Sequence, residues 1–249
     1  MKNLYLRTLI AVLLIGGIVA TGWYLTPAAT RAYTPRGPGQ TYLALGDSLA
    51  WGFRLADRAS ESYPALIAQR IQQRDSGTRL VNLSVPGESA ASLRGGQLRD
   101  GLSLIERERA AGRRVSPITI DIGGNDLQRA GESTQQRETA LAAVRANIAA
   151  TLDALRQATG GDADIAIMAY YNPYGGDPQE FNSEAYWVGR LNAAIAEEAA
   201  RRGVAVADAY TPFGGGRAYT YTNIVLGDIH ANKQGHAVMA DAFWQALRY

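Results

Sequence analysis

Thr41-Tyr42-Leu43-Ala44-Leu45-Gly46-Asp47-Ser48 decides how the rest of this sequence is read. Thr41–Leu45 is a short β-rich run, and Gly46-Asp47-Ser48 ends it with residues that favour a turn followed by a helix cap. The same unit recurs downstream. Candidate strands Arg79–Leu83, Ile118–Ile122, Ile165–Ala169 and Val204–Ala207 alternate with helical patterns near Tyr63–Arg74, Leu93–Ala111, Gln135–Thr159, Glu184–Arg202 and Lys233–Leu247. Alternation of this kind predicts an α/β domain of three layers, α/β/α, around a central, mostly parallel five-stranded sheet. No internal repeat or low-complexity tract interrupts it.

Upstream of Thr41 the character of the chain changes twice. Residues 26–40 (TPAATRAYTPRGPGQ) are rich in Pro, Gly and Thr and carry no hydrophobic period, which predicts a linker. Residues 1–25 place Lys2 and Arg7 before an uncharged apolar run from Leu9 to Leu25. That is the pattern of an export signal, and its length approaches the roughly 18–20 residues a spanning helix needs. The expectation is an N-terminal hydrophobic helix, either an uncleaved single-pass anchor or a cleaved signal. The early positive charges put the N-terminus in the cytoplasm and the domain, 41–249, outside, held at the membrane or secreted.

Composition removes several classes. A chain of 249 residues with 47% hydrophobic and 19% charged residues suits one globular domain with a sizeable core. The formal net charge of +2 gives no nucleic-acid footprint. Without cysteine there is no disulfide framework, thiol nucleophile or cysteine–zinc site. The charged run Ile105–Arg114 (IERERAAGRR) reads as the solvated end of a helix.

Three unusual segments directly follow three predicted strands: Gly46-Asp47-Ser48-Leu49, Val85-Pro86-Gly87-Glu88-Ser89 and Gly123-Gly124-Asn125-Asp126. A fourth, Gly227-Asp228-Ile229-His230, precedes the last predicted helix. Each alone has an ordinary explanation as turn or cap chemistry. Ligands of open parallel sheets, however, bind beyond the carboxyl ends of the strands, so the first three would face one crevice.

With these segments in order, the sequence resembles the SGNH hydrolases, also called GDSL-type esterases and lipases, from about Thr41 to the C-terminus. The four blocks are Leu43–Leu49, Val81–Gly87, Ile120–Leu127 and Asp228–Asn232, the last continuing through Gly235 and His236. The resemblance implies an SGNH/flavodoxin-like fold and a serine ester hydrolase working through an acyl-serine intermediate. It implies Ser48 as nucleophile and His230 as its base, with an oxyanion hole from the backbone N–H groups of Ser48 and Gly87 and the side-chain amide of Asn125. Of the chain's two histidines, His236 falls inside the predicted last helix and reads as packing or surface.

The family usually carries an acid three residues before the catalytic histidine, and here that position is Gly227. Asp228, two before, is the candidate orienter of His230. The other readings are that Asp228 caps the last helix or faces solvent, leaving a backbone carbonyl to orient the ring. Asp47, Asp126 and Asp208 read as braces. The aromatic segment Tyr170-Tyr171-Asn172-Pro173-Tyr174, with Phe181, Tyr186 and Trp187, either lines a substrate pocket or packs loops. No metal cluster, P-loop, dinucleotide fingerprint or Gly-x-Ser-x-Gly elbow is present, so no cofactor is implied. The expected substrate is a small-molecule, lipid or glycan ester, with a tilt toward small or polar acyl groups. The rival is a non-catalytic, membrane-tethered carbohydrate- or lipid-binding module on the same scaffold, suggested by Gly227. Oligomeric state is not legible.

Overall fold

The computed structural model describes residues 30–214 and 217–249. Its five long strands are β1 (Thr41–Gly46), β2 (Arg79–Asn82), β3 (Val115–Asp121), β4 (Ile165–Ala169) and β5 (Ala205–Asp208). They form one sheet in the order β2-β1-β3-β4-β5, with every pairing parallel. The principal helices are α1 (Tyr63–Gln72), α2 (Ala90–Gly95), α3 (Gln97–Ala110), α4 (Thr134–Ala158), α5 (Glu184–Arg202) and α6 (Lys233–Leu247). α1 and α6 cover one face of the sheet, and α2 to α5 cover the other, giving the three layers expected from the sequence.

β1 is buried along its whole length because it lies inside the sheet with helices on both sides. Burying Leu43 and Leu45 completely is worth about 1.5–3 kcal/mol each. Gly101 of α3 lets that helix approach closely, since a Cβ there would sit 3.3 Å from Leu43 Cδ2. The chain leaves β1 for β2 on one side and later returns to β3 on the other. That change of direction opens a crevice beyond the carboxyl end of β1.

Three sequence expectations are adjusted. The helix expected over Leu93–Ala111 is two helices, α2 and α3, meeting at Gly96. β3 begins at Val115, earlier than expected, and a register shift between Thr41 and Leu43 accommodates the start that contains Pro117. The run Ile105–Arg114 is not wholly solvated. Glu108 is buried and accepts from Thr41 Oγ1 (3.0 Å), Arg79 Nη2 (2.6 Å) and Arg113 Nε (2.8 Å). Arg113, burial's opposing effect notwithstanding, leads the contacts that hold this carboxyl down at about 2.

The hydrophobic helix expected over residues 1–25 lies outside the described residues, as does the first part of the expected linker. From Arg31 to Gln40 that linker is fastened to the domain. Arg31 N–H donates to Ala200 O at 2.8 Å, and Tyr33 Oη donates to Leu247 O at 3.1 Å. The N–H groups of Arg36 and Gly37 each donate to the buried Asp164 carboxylate at 2.8 Å. Among the described residues no helix is long and apolar enough to cross a membrane.

Candidate active site

Ser48 stands where β1 ends. Its position is set by the two residues before it, whose backbone groups are held by Gln97 and Asp121. Gly46 sits at φ 151°, and a Cβ there would lie 2.4 Å from Asp121 Oδ1 on the neighbouring strand, so only glycine fits. The Gln97 side chain takes both backbone groups of Gly46, accepting from its N–H at 2.9 Å and donating to its O at 2.8 Å. Asp47 N–H donates to Asp121 Oδ2 at 3.0 Å, and the Asp47 carboxylate accepts from Leu49 N–H (3.0 Å) and Tyr170 Oη (2.8 Å). Asp121 also accepts from Tyr63 Oη at 2.5 Å. Complete burial, and then the adjacent Asp47 carboxyl, push Asp121 well above the usual carboxylate range. Ser48 then begins a short helical turn, Ser48–Trp51, and is largely buried.

His230 reaches Ser48 from the far end of the sequence. A short antiparallel hairpin pairs β6 (Thr222–Asn223) with β7 (Asp228–Ala231), and Asn232 caps α6 immediately afterwards. His230 Nε2 lies 2.9 Å from Ser48 Oγ, and Nδ1 lies 2.5 Å from Asp228 Oδ1. Asp228 Oδ1 also accepts His230 N–H at 2.9 Å, and Oδ2 accepts Arg54 Nε at 2.6 Å. Burial works against ionisation of Asp228, but the backbone and ring donors of His230, with Arg54, outweigh it and hold the group down at about 2. Gly227 occupies the position where an acid was expected because the backbone there is left-handed, φ 78°. One residue later, the Asp228 side chain folds back along its own strand onto His230. The cap on α6 is Asn232, so the helix-cap reading of Asp228 is set aside.

The two other strand-end segments close the site. Gly87 lies in the loop after β2 at φ 78°. Asn125, in the turn Gly124–Gln128 after β3, donates from Nδ2 to Glu88 O at 3.0 Å and more weakly to Asp47 Oδ2 at 3.4 Å. The Glu88 carboxylate is pinned by Gln97 Nε2 at 2.8 Å and by Ser92 Oγ. Asp126 accepts Ala90 N–H at 3.0 Å, fastening the β3 turn to α2. Asp208 accepts Thr211 N–H at 3.0 Å, away from this cluster. His236 is fully buried under α1, with Nδ1 accepting Tyr63 N–H at 3.2 Å; burial pulls its pKa down to about 3 and keeps the ring neutral.

A cavity of about 360 Å³ opens on Ser48, Gly87, Asn125 and His230. Of the aromatic residues singled out in the sequence, Tyr170, Tyr171, Tyr174 and Trp187 line it; Phe181 and Tyr186 do not. Sequence reasoning missed Leu127, Val188 and Leu191, which make the wall apolar, and Arg137 with Glu184, an ion pair at 2.5 Å in that wall. It also missed Phe53, whose ring centre is 4.7 Å from that of His230, and Arg54. The one available signal was the aromatic residue and arginine directly after the Trp51-Gly52 turn.

Comparison with known structures agrees with this layout. The acetylxylan esterase Axe2 from Geobacillus stearothermophilus superposes with a TM-score of 0.66 at 17% identity, covering 87% of this chain and 97% of its own. The psychrotrophic esterase EstA from Pseudoalteromonas sp. superposes with a TM-score of 0.57 at 20% identity, covering 84% and 97%. Among curated proteins none matches the sequence. The model of the GDSL-like lipase/acylhydrolase family matches residues 44–238, a span that holds all four segments of the site. The chain therefore belongs to that family of ester-bond hydrolases.

Proposed function

We propose that the protein hydrolyses carboxylic esters through an acyl enzyme on Ser48. The observation that carries this reading is the continuous line from Ser48 Oγ to His230 Nε2 (2.9 Å) and from His230 Nδ1 to Asp228 Oδ1 (2.5 Å). In this reading His230 Nε2 takes the Ser48 proton as Oγ attacks the ester carbonyl carbon, and then gives it to the departing alcohol oxygen. Water, activated in the same way, attacks the acyl carbonyl and releases the acid. Asp228 keeps the proton on Nδ1, so that Nε2 presents its lone pair to Ser48, and it stabilises the imidazolium that forms.

The carbonyl oxygen becomes an oxyanion in both steps and needs donors already in place. Ser48 N–H is free to serve because the first residues of a helix have no intrahelical acceptor. Gly87 N–H and Asn125 Nδ2 are the other two. Asn125 keeps one hydrogen on Glu88 O, and the other has only the long 3.4 Å contact to Asp47 to give up.

The mostly apolar wall of the cavity suits a short or medium acyl chain or a ring, and its opening to solvent leaves room for a larger alcohol. Axe2, an acetylxylan esterase, has been crystallised as catalytic mutants altered at a serine and at a histidine, which supports both the Ser48–His230 assignment and a glycan ester among the candidates. The contact between Asp228 and His230 favours this reading over a binding module, since an acid faces Nδ1 despite Gly227.

The test is hydrolysis of p-nitrophenyl esters of increasing acyl length by residues 31–249 and by Ser48→Ala, alongside fluorophosphonate labelling. Activity and labelling that both vanish with the serine support the reading. A folded wild-type domain that neither turns over nor labels would return the binding module.

A further inference from the structure

The end of the sheet opposite Ser48 has a surface that esterase chemistry does not use. Residues 31–38 cross it as a strap, from the loop between α5 and β5, over the start of β4, to the start of β3. Beyond the bonds to Ala200 and Asp164, Arg114 Nη2 donates to Pro38 O at 2.7 Å and Ser116 Oγ donates to Gly37 O at 2.9 Å. Five arginines gather on this strap. Arg31 and Arg36 belong to it and are exposed. Arg114 reaches it from β3's approach, and the exposed Arg248 lies over the Tyr33 ring at 5.6 Å. Arg156 lies beneath, donating to Ala163 O at 3.2 Å and to Gly203 O. Among the described residues none of the five is ion-paired, although most arginines elsewhere on the domain are. The acid at the centre, Asp164, is buried and already holds Arg36 N–H, Gly37 N–H and Tyr249 Oη; Asp162 is the exposed acid nearby. Burial chiefly lowers the Arg156 pKa; Asp164 and then Tyr33 act against it, and the nearby charges of Arg36 and Arg31 add to the lowering. On a chain of net charge +2 this end therefore groups five arginines without an ion-pair partner among the described residues.

We propose that this arginine face docks on anionic phospholipid headgroups, seating the domain with Ser48 turned away from the bilayer. Charge complementarity is the first argument. The second is where the chain enters. The uncharged run Leu9–Leu25 ends six residues before Arg31, and six residues reach at most about 22 Å. If the run occupies a bilayer, the headgroup layer takes up roughly 6 Å of that reach, leaving Arg31 within about 16 Å of the surface. That is under two Debye lengths at about 0.1 M salt, so the linker is short enough to let Arg31 approach an anionic surface and feel its field. β1 then carries Ser48 some 20 Å further out, six residues at about 3.3 Å each. On the esterase reading of that site, its substrates arrive from the aqueous side as soluble or polymer-borne esters, and bilayer lipids are out of reach.

The domain from Arg31 to Tyr249 is a compact unit with its own hydrophobic core, so it is tested without the apolar run. Residues 31–249 are sedimented with phosphatidylcholine vesicles with and without phosphatidylglycerol. Binding is expected only with the anionic lipid, and it is expected to be lost as added salt shortens the Debye length from about 10 Å to about 3 Å. Each arginine near such a surface is worth about fivefold in affinity, so the triple variant Arg31→Gln, Arg36→Gln, Arg248→Gln is expected to bind roughly a hundredfold more weakly. Circular dichroism checks that the variant is folded. No binding to anionic vesicles, or binding that the triple variant keeps, overturns the proposal. Binding to heparin but not to vesicles also overturns it and assigns the face to a soluble polyanion. The binding readouts do not depend on hydrolysis, so they stand or fall separately from the esterase reading. Equal turnover of a soluble ester by free and vesicle-bound protein is the expected sign that Ser48 faces outward.

Discussion

Asp228→Asn is the substitution whose outcome the geometry forecasts most closely. The carboxylate serves three donors with two oxygens: Oδ1 holds both His230 N–H and Nδ1–H, and Oδ2 holds Arg54 Nε–H. An asparagine has one oxygen. Turned toward His230, it keeps the useful tautomer but sets its NH₂ against the Arg54 donor, and a neutral amide no longer stabilises the imidazolium. Opposite charges about 4 Å apart at an effective dielectric of about 20 interact by about 4 kcal/mol, so losing that term alone slows turnover by about 10³-fold. Turned the other way, the amide donates to Nδ1 and forces the ring proton onto Nε2, where it cannot accept from Ser48. The two effects together give an expected loss in kcat of about 10³–10⁴. Asp228 titrates at about 2, so it stays ionised across any practical assay and the penalty is expected to be flat with pH above about 4. Arg54 is the internal control. Its side chain is 60% exposed, so Arg54→Ala in the wild-type background is expected to change kcat by no more than about threefold. In the Asp228→Asn background the same change frees the amide oxygen to face the ring and is expected to recover up to about tenfold. The assay is steady-state hydrolysis of p-nitrophenyl butyrate over a pH series for all four proteins. Asp228→Asn within a few-fold of wild type would refute the reasoning and return the orienting role to another group.

Asn125→Ala is expected to lower kcat by about 10²–10³ with little change in KM, because the amide acts on the oxyanion and not on the ground-state ester; a pure rise in KM would contradict this. Gly46→Ala would drive a Cβ to within 2.4 Å of Asp121 Oδ1, and urea denaturation is expected to show about 3 kcal/mol or more of lost stability, so a neutral result would mean the end of β1 can move. Glu108→Gln bears on pH dependence. The Glu108 carboxyl is depressed from 4.5 to about 2 in the folded protein, so its stabilisation is present above about pH 4.5 and is lost as the pH falls through about 2. Allowing for its exposed arginine partners, the variant is expected to be about 1–2 kcal/mol less stable at pH 7 and to converge with wild type toward pH 2. Curves that stay parallel over that range would show that Glu108 stabilises the fold by shape, not charge.

What was legible in the sequence divides along a physical line. β1 and β4, α5 and α6 fall within a residue of their expected limits because a parallel strand buried on both faces is a continuous apolar run, and a long amphipathic helix repeats its pattern several times. The break at Gly96 was hidden because helical periodicity continues on both sides of it. Glu108 was misjudged because charge in a sequence says nothing of what lies across the sheet edge, and Arg79 and Thr41 come from elements far away along the chain. The site shows the same division. Ser48, Gly87 and Asn125 each follow a strand end, so the topology alone brings them together. Asp228 could not be settled by topology. Its direction depends on Gly227 at φ 78°, a local backbone turn that shifts the expected acid by one residue and still delivers a carboxylate to Nδ1. The sequence departure that had pointed toward a dead site is accounted for by that turn. On the proposed esterase reading, the acid that orients His230 is defined by what its oxygen faces, and an offset counted along the chain is only a guide to it.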